Sequence, residues 1–491
     1  MKQLIRFSVL CVLIGIGYSG TALTGCGKKT SSQPGTVTPP QDTTKGTTPV
    51  ATDVSFWLTN GDQSALLAKQ NIALNFGTAT NSYPNITVDS TTRYQSIDGF
   101  GFCLTGGSAD LIYHLDPTTR STLLNELFGT DSNSIGISYL RVTIGASDLS
   151  TSVYSYDDVG AGQTDTSLAN FSLQAGDVDV VPVLQLILAI NPNIKILACP
   201  WSAPAWMKTN DNTSGGSLLP QYYGVYAHYM VKYIQAMQAQ NIHIDAITPQ
   251  NEPLNANNNP AMVVQAATED TLVRFYLGPD FMAAGLTTKI IVYDHNCDVP
   301  SYPETILVDP NAYPYVDGSA FHLYAGSITA LSTVHQSFPN KNLYFTEFYT
   351  ASTGDFAADL KYHLKNIIIG ATQNWSKNAL EWNLASDPNF DPHTPGGCST
   401  CKGAVTITTT YSRNVSYYIV GHASKFVPAG SVRISSNTVG NINNVAFLRP
   451  DGKKVLIVEN DDTNTDSFNI QFNGKWVTTS LNGGSVGTYV W

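Results

Sequence analysis

The chain has 491 residues, of which only 13% are charged and 10% aromatic, with 25 Tyr and 7 Trp, and its formal net charge is −11. An acidic body repels polyphosphate, which excludes nucleic acid as a partner. Sparse charge with many aromatic rings suits a secreted protein with an aromatic-lined cleft.

The first 25 residues read as a processing segment. Lys2 and Arg6 form a basic start, Phe7 to Tyr18 an apolar run, and Leu23-Thr24-Gly25-Cys26 a small-residue cleavage site. This resembles a bacterial lipoprotein signal peptide, which implies lipid attachment at Cys26, membrane association through that anchor, and a place in the cell envelope. An ordinary secretory signal with an incidental cysteine is the alternative. Residues 26–52 are mainly Thr, Ser, Pro, Gln, Gly and Lys, too poor in apolar surface to offset the entropy of ordering, so they read as a flexible tether.

The rest exceeds one ordinary domain. Residues 53–90 precede the first barrel strand and are expected to contribute to a β-sandwich. Over 91–427, eight apolar, β-branched runs are expected as strands: Tyr94–Phe102, Ile137–Ile144, Ile194–Cys199, Ile244–Thr248, Ile290–Tyr293, Gly318–His322, Leu343–Thr346 and Ala379–Asn383. Most are separated by helix-like stretches such as Tyr222–Gln238, whose Tyr226, Tyr229, Met230 and Tyr233 recur at helical spacing as a packing face. Strands alternating with helices indicate parallel βαβ units, and eight of them close a (β/α)8 TIM barrel. Over 428–491 short runs separated by Pro450-Asp451-Gly452 and Asn473-Gly474 predict a side antiparallel β-sandwich.

Two glutamates follow directly on barrel strands: Glu252 in Thr248-Pro249-Gln250-Asn251-Glu252-Pro253 and Glu347 in Leu343-Tyr344-Phe345-Thr346-Glu347-Phe348. The C-terminal ends of barrel strands are where such folds present catalytic groups. Two carboxyls sharing that rim can protonate a glycosidic oxygen and attack the anomeric carbon from the opposite face. The acid of such a pair is expected to be the less solvated, since burial keeps it protonated. Of the seven cysteines, Cys398 and Cys401 stand as C-x-x-C in a Gly-rich loop and read as a local disulfide in an oxidising compartment. A zinc site there lacks ligands, only His393 being near, so no metal is expected. Cys103, Cys199 and Cys297 lie in or beside apolar runs and read as buried thiols.

Several motifs in order carry a family resemblance: Tyr94-Gln95-Ser96-Ile97-Asp98-Gly99-Phe100-Gly101, Arg141-Val142-Thr143-Ile144-Gly145-Ala146-Ser147-Asp148, Pro200-Trp201-Ser202-Ala203-Pro204-Ala205-Trp206-Met207-Lys208-Thr209, the two glutamate runs, and Gly421-His422-Ala423-Ser424-Lys425-Phe426. From about residue 53 to 491 the chain resembles glycoside hydrolase family 30. The resemblance implies a barrel fused to a sandwich, retaining chemistry and no cofactor. By it, Glu252 is the acid/base and Glu347 the nucleophile. Asn251 matches the residue that bonds the sugar 2-hydroxyl, while Arg141 and Tyr324 match donors to the nucleophile. Asp148, Trp201 and Trp382 match the innermost sugar site, the indoles supplying stacking faces and donors. Trp206 fits a platform or the core equally, and His295 and His322 fit either a proton relay or a structural hydrogen bond.

Within that family the first-strand region Gly99-Phe100-Gly101-Phe102-Cys103-Leu104-Thr105 departs from the Gly-Ala and Thr-Asp pattern of glucosylceramidases. The loop Gly396-Gly397-Cys398-Ser399-Thr400-Cys401-Lys402-Gly403 resembles the β-1,6-glucanase branch. The expected substrate is therefore a β-1,6-glucan, cut internally, by a protein that acts as a monomer. An exo-acting β-glucosidase or glucosylceramidase is the alternative within enzymes. A lipid-anchored glycan-binding protein is the non-enzymatic one, and it has no need of the carboxylate pair.

Overall fold

The structure, a computed structural model, describes residues 50–78 and 80–491. Cys26, expected as a lipid-attachment site, lies outside the described residues, as do the expected signal segment and most of the expected tether. Among the described residues, no helix is long and apolar enough to cross a membrane.

Eight parallel strands form one sheet: Gly99–Leu104, Tyr139–Thr143, Lys195–Cys199, Ala246–Ile247, Lys289–Cys297, Val316–Gly326, Asn342–Glu347 and Asn378–Asn383. The eighth pairs with the first, and the seventh meets the start of the eighth through a parallel Leu343–Ser376 bridge and Lys377 N–H donating to Leu343 O at 2.9 Å. The sheet thus closes into the barrel that the alternation of strands and helices predicts. Its interior is filled by Tyr139, Leu197, Ala246, Ile291, Ala320, Tyr344 and Leu380, one from each of seven strands. The first strand brings Gly101 to this crowd, where a Cβ would come within 1.9 Å of Tyr139 O.

The helices sheathe the barrel. Pro117–Phe128 starts on Asp116, whose carboxylate accepts from Thr118 and Thr119 N–H, with Pro at the position where no N–H is needed. In Tyr223–Ala239 the expected Tyr226, Tyr229, Met230 and Tyr233 are all buried. Tyr226 Oη also donates to Pro249 O at 2.9 Å, which ties this helix to the loop carrying Glu252.

One expected strand is divided. Tyr94–Ser96 belong to Asn85–Ser96 in the sandwich, and only from Gly99 does the chain enter the barrel. Gly99, at φ 152°, makes the turn between them. Three segments before the barrel, Ser55–Thr59, Ala68–Gln70 and Asn85–Ser96, join six after it in a nine-stranded sheet. Its faces close on Phe56, Ile86, Val88, Leu456, Phe468 and Tyr489. The sandwich is not wholly antiparallel: Asn85–Ser96 runs parallel to Asp466–Phe472, because this N-terminal strand is inserted between hairpins formed by the C-terminal segment.

The Gly421-His422 motif sits at the seam of barrel and sandwich. His422, on the helix Val415–Ser424, is fully buried and bonds Thr488 Oγ1 at 2.9 Å and Thr59 Oγ1 at 2.8 Å, one from each end of the chain.

Candidate active site

The rim at the C-terminal ends of the strands is irregular in a way that aims side chains. Pairing slips by one residue between Tyr293 and His295, between Phe345 and Glu347, and between Glu381 and Asn383. Such bulges turn neighbouring residues toward the same side. Glu252, Tyr293 and Asp294 adopt φ of 42°, 79° and 61°, and Glu252 N–H donates to Asp294 O at 3.0 Å, holding two strained segments together. Backbone strain concentrated at such a point is characteristic of functional sites.

These segments converge on one buried polar cluster. Arg141 Nη1 donates to Glu347 Oε2 at 2.5 Å, and its Nη2 to Asn251 Oδ1 and Asp294 Oδ2, each at 2.7 Å. Tyr324 Oη donates to Glu347 Oε1 at 3.0 Å while its ring remains open to the cleft. With its carbonyl committed to Arg141, Asn251 has only amide N–H groups to offer a substrate. His322 Nδ1 stands 3.6 Å from Glu252 Oε1 and 3.7 Å from Glu347 Oε1, so one ring atom adjoins both carboxyls.

Glu252 and Glu347 are equally enclosed, 8% and 6% exposed, against the expectation that the acid is the drier. Burial raises the Glu252 carboxyl, but His322, with His295 and Asn255, more than reverses this and holds it at about 2. Burial also raises Glu347, and His322 and Arg141 pull it back only part of the way. Against burial, the charge of Glu347 and the contacts with Asp294 and Glu252 lift His322 to about 9. The neighbouring charges thus favour an ionised Glu252 beside a positively charged His322, the reverse of the protonated acid expected.

A cavity of about 220 Å³ opens above the glutamates, lined by Asp148, Trp201, Tyr349, Trp382, Cys398 and Cys401 among others. Burial, with the charges of Glu347 and Glu252, raises Asp148 to about 7. Trp201 and Trp382 are 1% and 3% exposed and lie against each other at 5.2 Å, with Arg141 over both rings. They form the floor of the cavity, touched at their edges, rather than open platforms, because the guanidinium occupies one side. Trp206 is core: its Nε1 donates to Asp157 O at 2.9 Å and its ring meets Tyr222 edge-on. Cys398 and Cys401 are joined by a disulfide, and Cys103, Cys199 and Cys297 are free and buried.

The sequence reading missed Asp294. It is fully buried and receives Arg141, Thr248 Oγ1 at 2.7 Å, Thr346 Oγ1 at 2.6 Å, Cys199 Sγ at 3.0 Å and His322 Nε2 at 3.1 Å. These contacts keep it ionised well below the usual carboxylate range in spite of burial. The signal available was its place, a carboxylate directly after the fifth strand run.

A barrel with two carboxyls and a guanidinium at its C-terminal rim is the equipment of a glycoside hydrolase. Residues 97–427 match the glycosyl hydrolase family 30 TIM-barrel domain and residues 430–489 the family 30 beta sandwich domain, and the chain belongs to that family. Among curated relatives it is 38% identical to an endo-1,6-beta-D-glucanase of Aspergillus fumigatus, over 76% of this chain and 81% of that one. It is 36% identical to an endo-1,6-beta-D-glucanase of Trichoderma harzianum, over 77% and 80%, and 29% identical to the lysosomal acid glucosylceramidase of Mus musculus, over 83% of each. A solved endo-beta1,6-glucanase superposes with a TM-score of 0.83 at 35% identity, covering 90% of this chain and 99% of the other.

Proposed function

We propose that this glycoside hydrolase cleaves β-1,6-glucan internally, with retention of configuration. The observation that carries the reading is the likeness, at 35–38% identity over three quarters or more of the chain, to endo-1,6-beta-glucanases, against 29% for the glucosylceramidases.

In this mechanism Glu347 attacks the anomeric carbon, kept anionic and aimed by Arg141 and Tyr324. Glu252 protonates the departing oxygen. The glycosyl-enzyme ester is then hydrolysed by a water that Glu252 deprotonates. Asn251 presents amide donors to the sugar, and Asp148 accepts from its hydroxyls. The anchor at Cys26 places the enzyme in the bacterial cell envelope, a reading supported by the signal motif alone and checked by metabolic labelling with a fatty acid in wild type and Cys26→Ala.

The test of the activity is a product profile on linear β-1,6-glucan beside β-1,3-glucan, xylan and glucosylceramide. A ladder of short β-1,6-oligosaccharides with the other substrates untouched is expected. Glucose as the sole early product, or cleavage of the glycolipid, overturns the endo-acting reading.

A further inference from the structure

His295 and His322 both turn Nδ1 toward Glu252 Oε1, at 3.7 and 3.6 Å. Neither nitrogen has a hydrogen-bond partner, although both residues are more than nine-tenths buried. Two imidazoles and one carboxylate thus offer ligand atoms that all lie within 4.8 Å of one another. The two measured edges are close to the roughly 3.3–3.6 Å that ligand bonds of about 2.0–2.1 Å to one ion would give.

The surroundings hold these atoms as ligands are usually held. His322 Nε2 meets Asp294 Oδ1 at 3.1 Å, which fixes the ring and leaves Nδ1 to face the cleft, as in carboxylate–histidine–metal arrangements. The second oxygen of Glu252 accepts from Asn255 Nδ2 at 2.7 Å and steers Oε1 into the triangle. Arg141 is the nearby cation that opposes another positive charge, but Asp294 and Glu347 neutralise it.

We propose that Glu252, His295 and His322 form a binding site for a divalent cation of borderline softness, with Zn2+ the best fit, and that its occupancy switches the enzyme off. Two nitrogens and one oxygen suit zinc, whereas calcium and magnesium favour oxygen donors throughout. The ion ties up the Glu252 oxygen that would protonate the leaving group. This consequence rests on the role proposed for Glu252, while the binding does not. A second cluster, Asp110, His114 and Asp179, is more exposed, and His114 Nδ1 already contacts both carboxylates, so it serves as a control.

The test is equilibrium dialysis of the chelator-stripped full chain against Zn2+, with metal content and glucan hydrolysis read on the same samples. One tight zinc per chain is expected, weakened at least about tenfold in His295→Ala and in Glu252→Gln, kept in His114→Ala, with wild-type activity lost on loading and restored by EDTA. Circular dichroism of each variant confirms that it folds, and Co2+ in place of Zn2+ is expected to give visible d–d absorption that His295→Ala abolishes. No tight zinc, zinc that survives both His295→Ala and Glu252→Gln, or zinc that disappears in His114→Ala overturns the site. Site-specific binding with hydrolysis undiminished upholds the site and overturns the acid/base role of Glu252.

Discussion

Asp294 Oδ2 lies 2.7 Å from Arg141 Nη2, with both side chains wholly enclosed. The guanidinium spans Asp294 and Glu347, so the carboxylate at its back fixes the direction from which it holds Glu347, the proposed nucleophile. Asp294→Asn keeps the shape and removes the charge. Breaking a buried pair leaves the other charge uncompensated, at a cost of about 3–5 kcal/mol. A lower denaturant midpoint is expected, together with a fall in kcat larger than any change in KM. Wild-type kcat in Asp294→Asn would remove Asp294 from the positioning of Arg141.

The pH profile should report the charge on His322 beside the two glutamates. His322 is raised to about 9, so its positive charge beside Glu252 and Glu347 persists through neutrality and is lost near that value, and kcat/KM should fall on the basic side there. The acidic limb is expected from Glu347, whose carboxyl sits above its ordinary value of 4.5 and must be ionised for the proposed attack. Tyr324→Phe deletes a donor to the charged form, so the acidic limb should move to higher pH with the basic limb unmoved. Initial rates from pH 3 to 10 decide it, and an acidic limb unchanged by Tyr324→Phe would count against Glu347 as its source.

The barrel and both glutamates are legible in the sequence because strands buried on both faces read as continuous apolar runs, with Glu252 and Glu347 standing just past or at the ends of two of them. The irregularities at those ends are not legible. Strict alternation places Tyr293 and His295 on one face and Asp294 on the other. The slipped pairing and the positive φ at Tyr293 and Asp294 instead bring the carboxylate inward beneath Arg141. Nor does the sequence show that Tyr94–Ser96, continuous with the first barrel run, pair with Val432–Ser436 instead, since that depends on a partner more than three hundred residues away. The buried floor made by Trp201 and Trp382 has the same origin: composition marks an aromatic site but not the guanidinium laid across it.

The roles of the carboxyl pair separate by leaving group. Glu347→Ala should abolish turnover and be rescued by azide as a glycosyl azide of inverted configuration relative to the normal product. Glu252→Ala should retain far more activity on activated aryl glycosides than on glucan, because a good leaving group needs little protonation. Equal losses on both substrates would remove Glu252 from the acid role.

Cys398 and Cys401 line the cavity, and their loop presses on Asp148: Thr394 N–H donates to Asp148 O at 2.9 Å, and a Cβ on Gly397 would lie 2.3 Å from the same oxygen. The bridge closes a very short loop, so its effect on the unfolded chain is small. Replacing both cysteines by serine should shift Tm little but raise KM for glucan severalfold, with kcat falling less. An equal fall in kcat at constant KM would show that the loop does not shape the sugar site.

His422 joins the two domains as a neutral ring. Its nitrogens bond Thr488 and Thr59 inside the protein, and burial lowers its pKa to about 3. In the unfolded chain the ring takes a proton near pH 6.5, so the unfolded state binds more protons than the folded state between about 6.5 and 3. The stability that His422 contributes is therefore present in full above pH 6.5 and drains away as the pH falls toward 3, by about 1.4 kcal/mol per pH unit at most. His422→Gln keeps a donor and an acceptor but cannot titrate. The variant should be less stable than wild type at pH 7.5, where the better-fitted imidazole bonds are intact, and the gap should narrow as the pH is lowered toward 4. Urea midpoints for both proteins across that range measure it, and a gap that stays constant or widens in acid would mean that His422 is not held neutral at the seam.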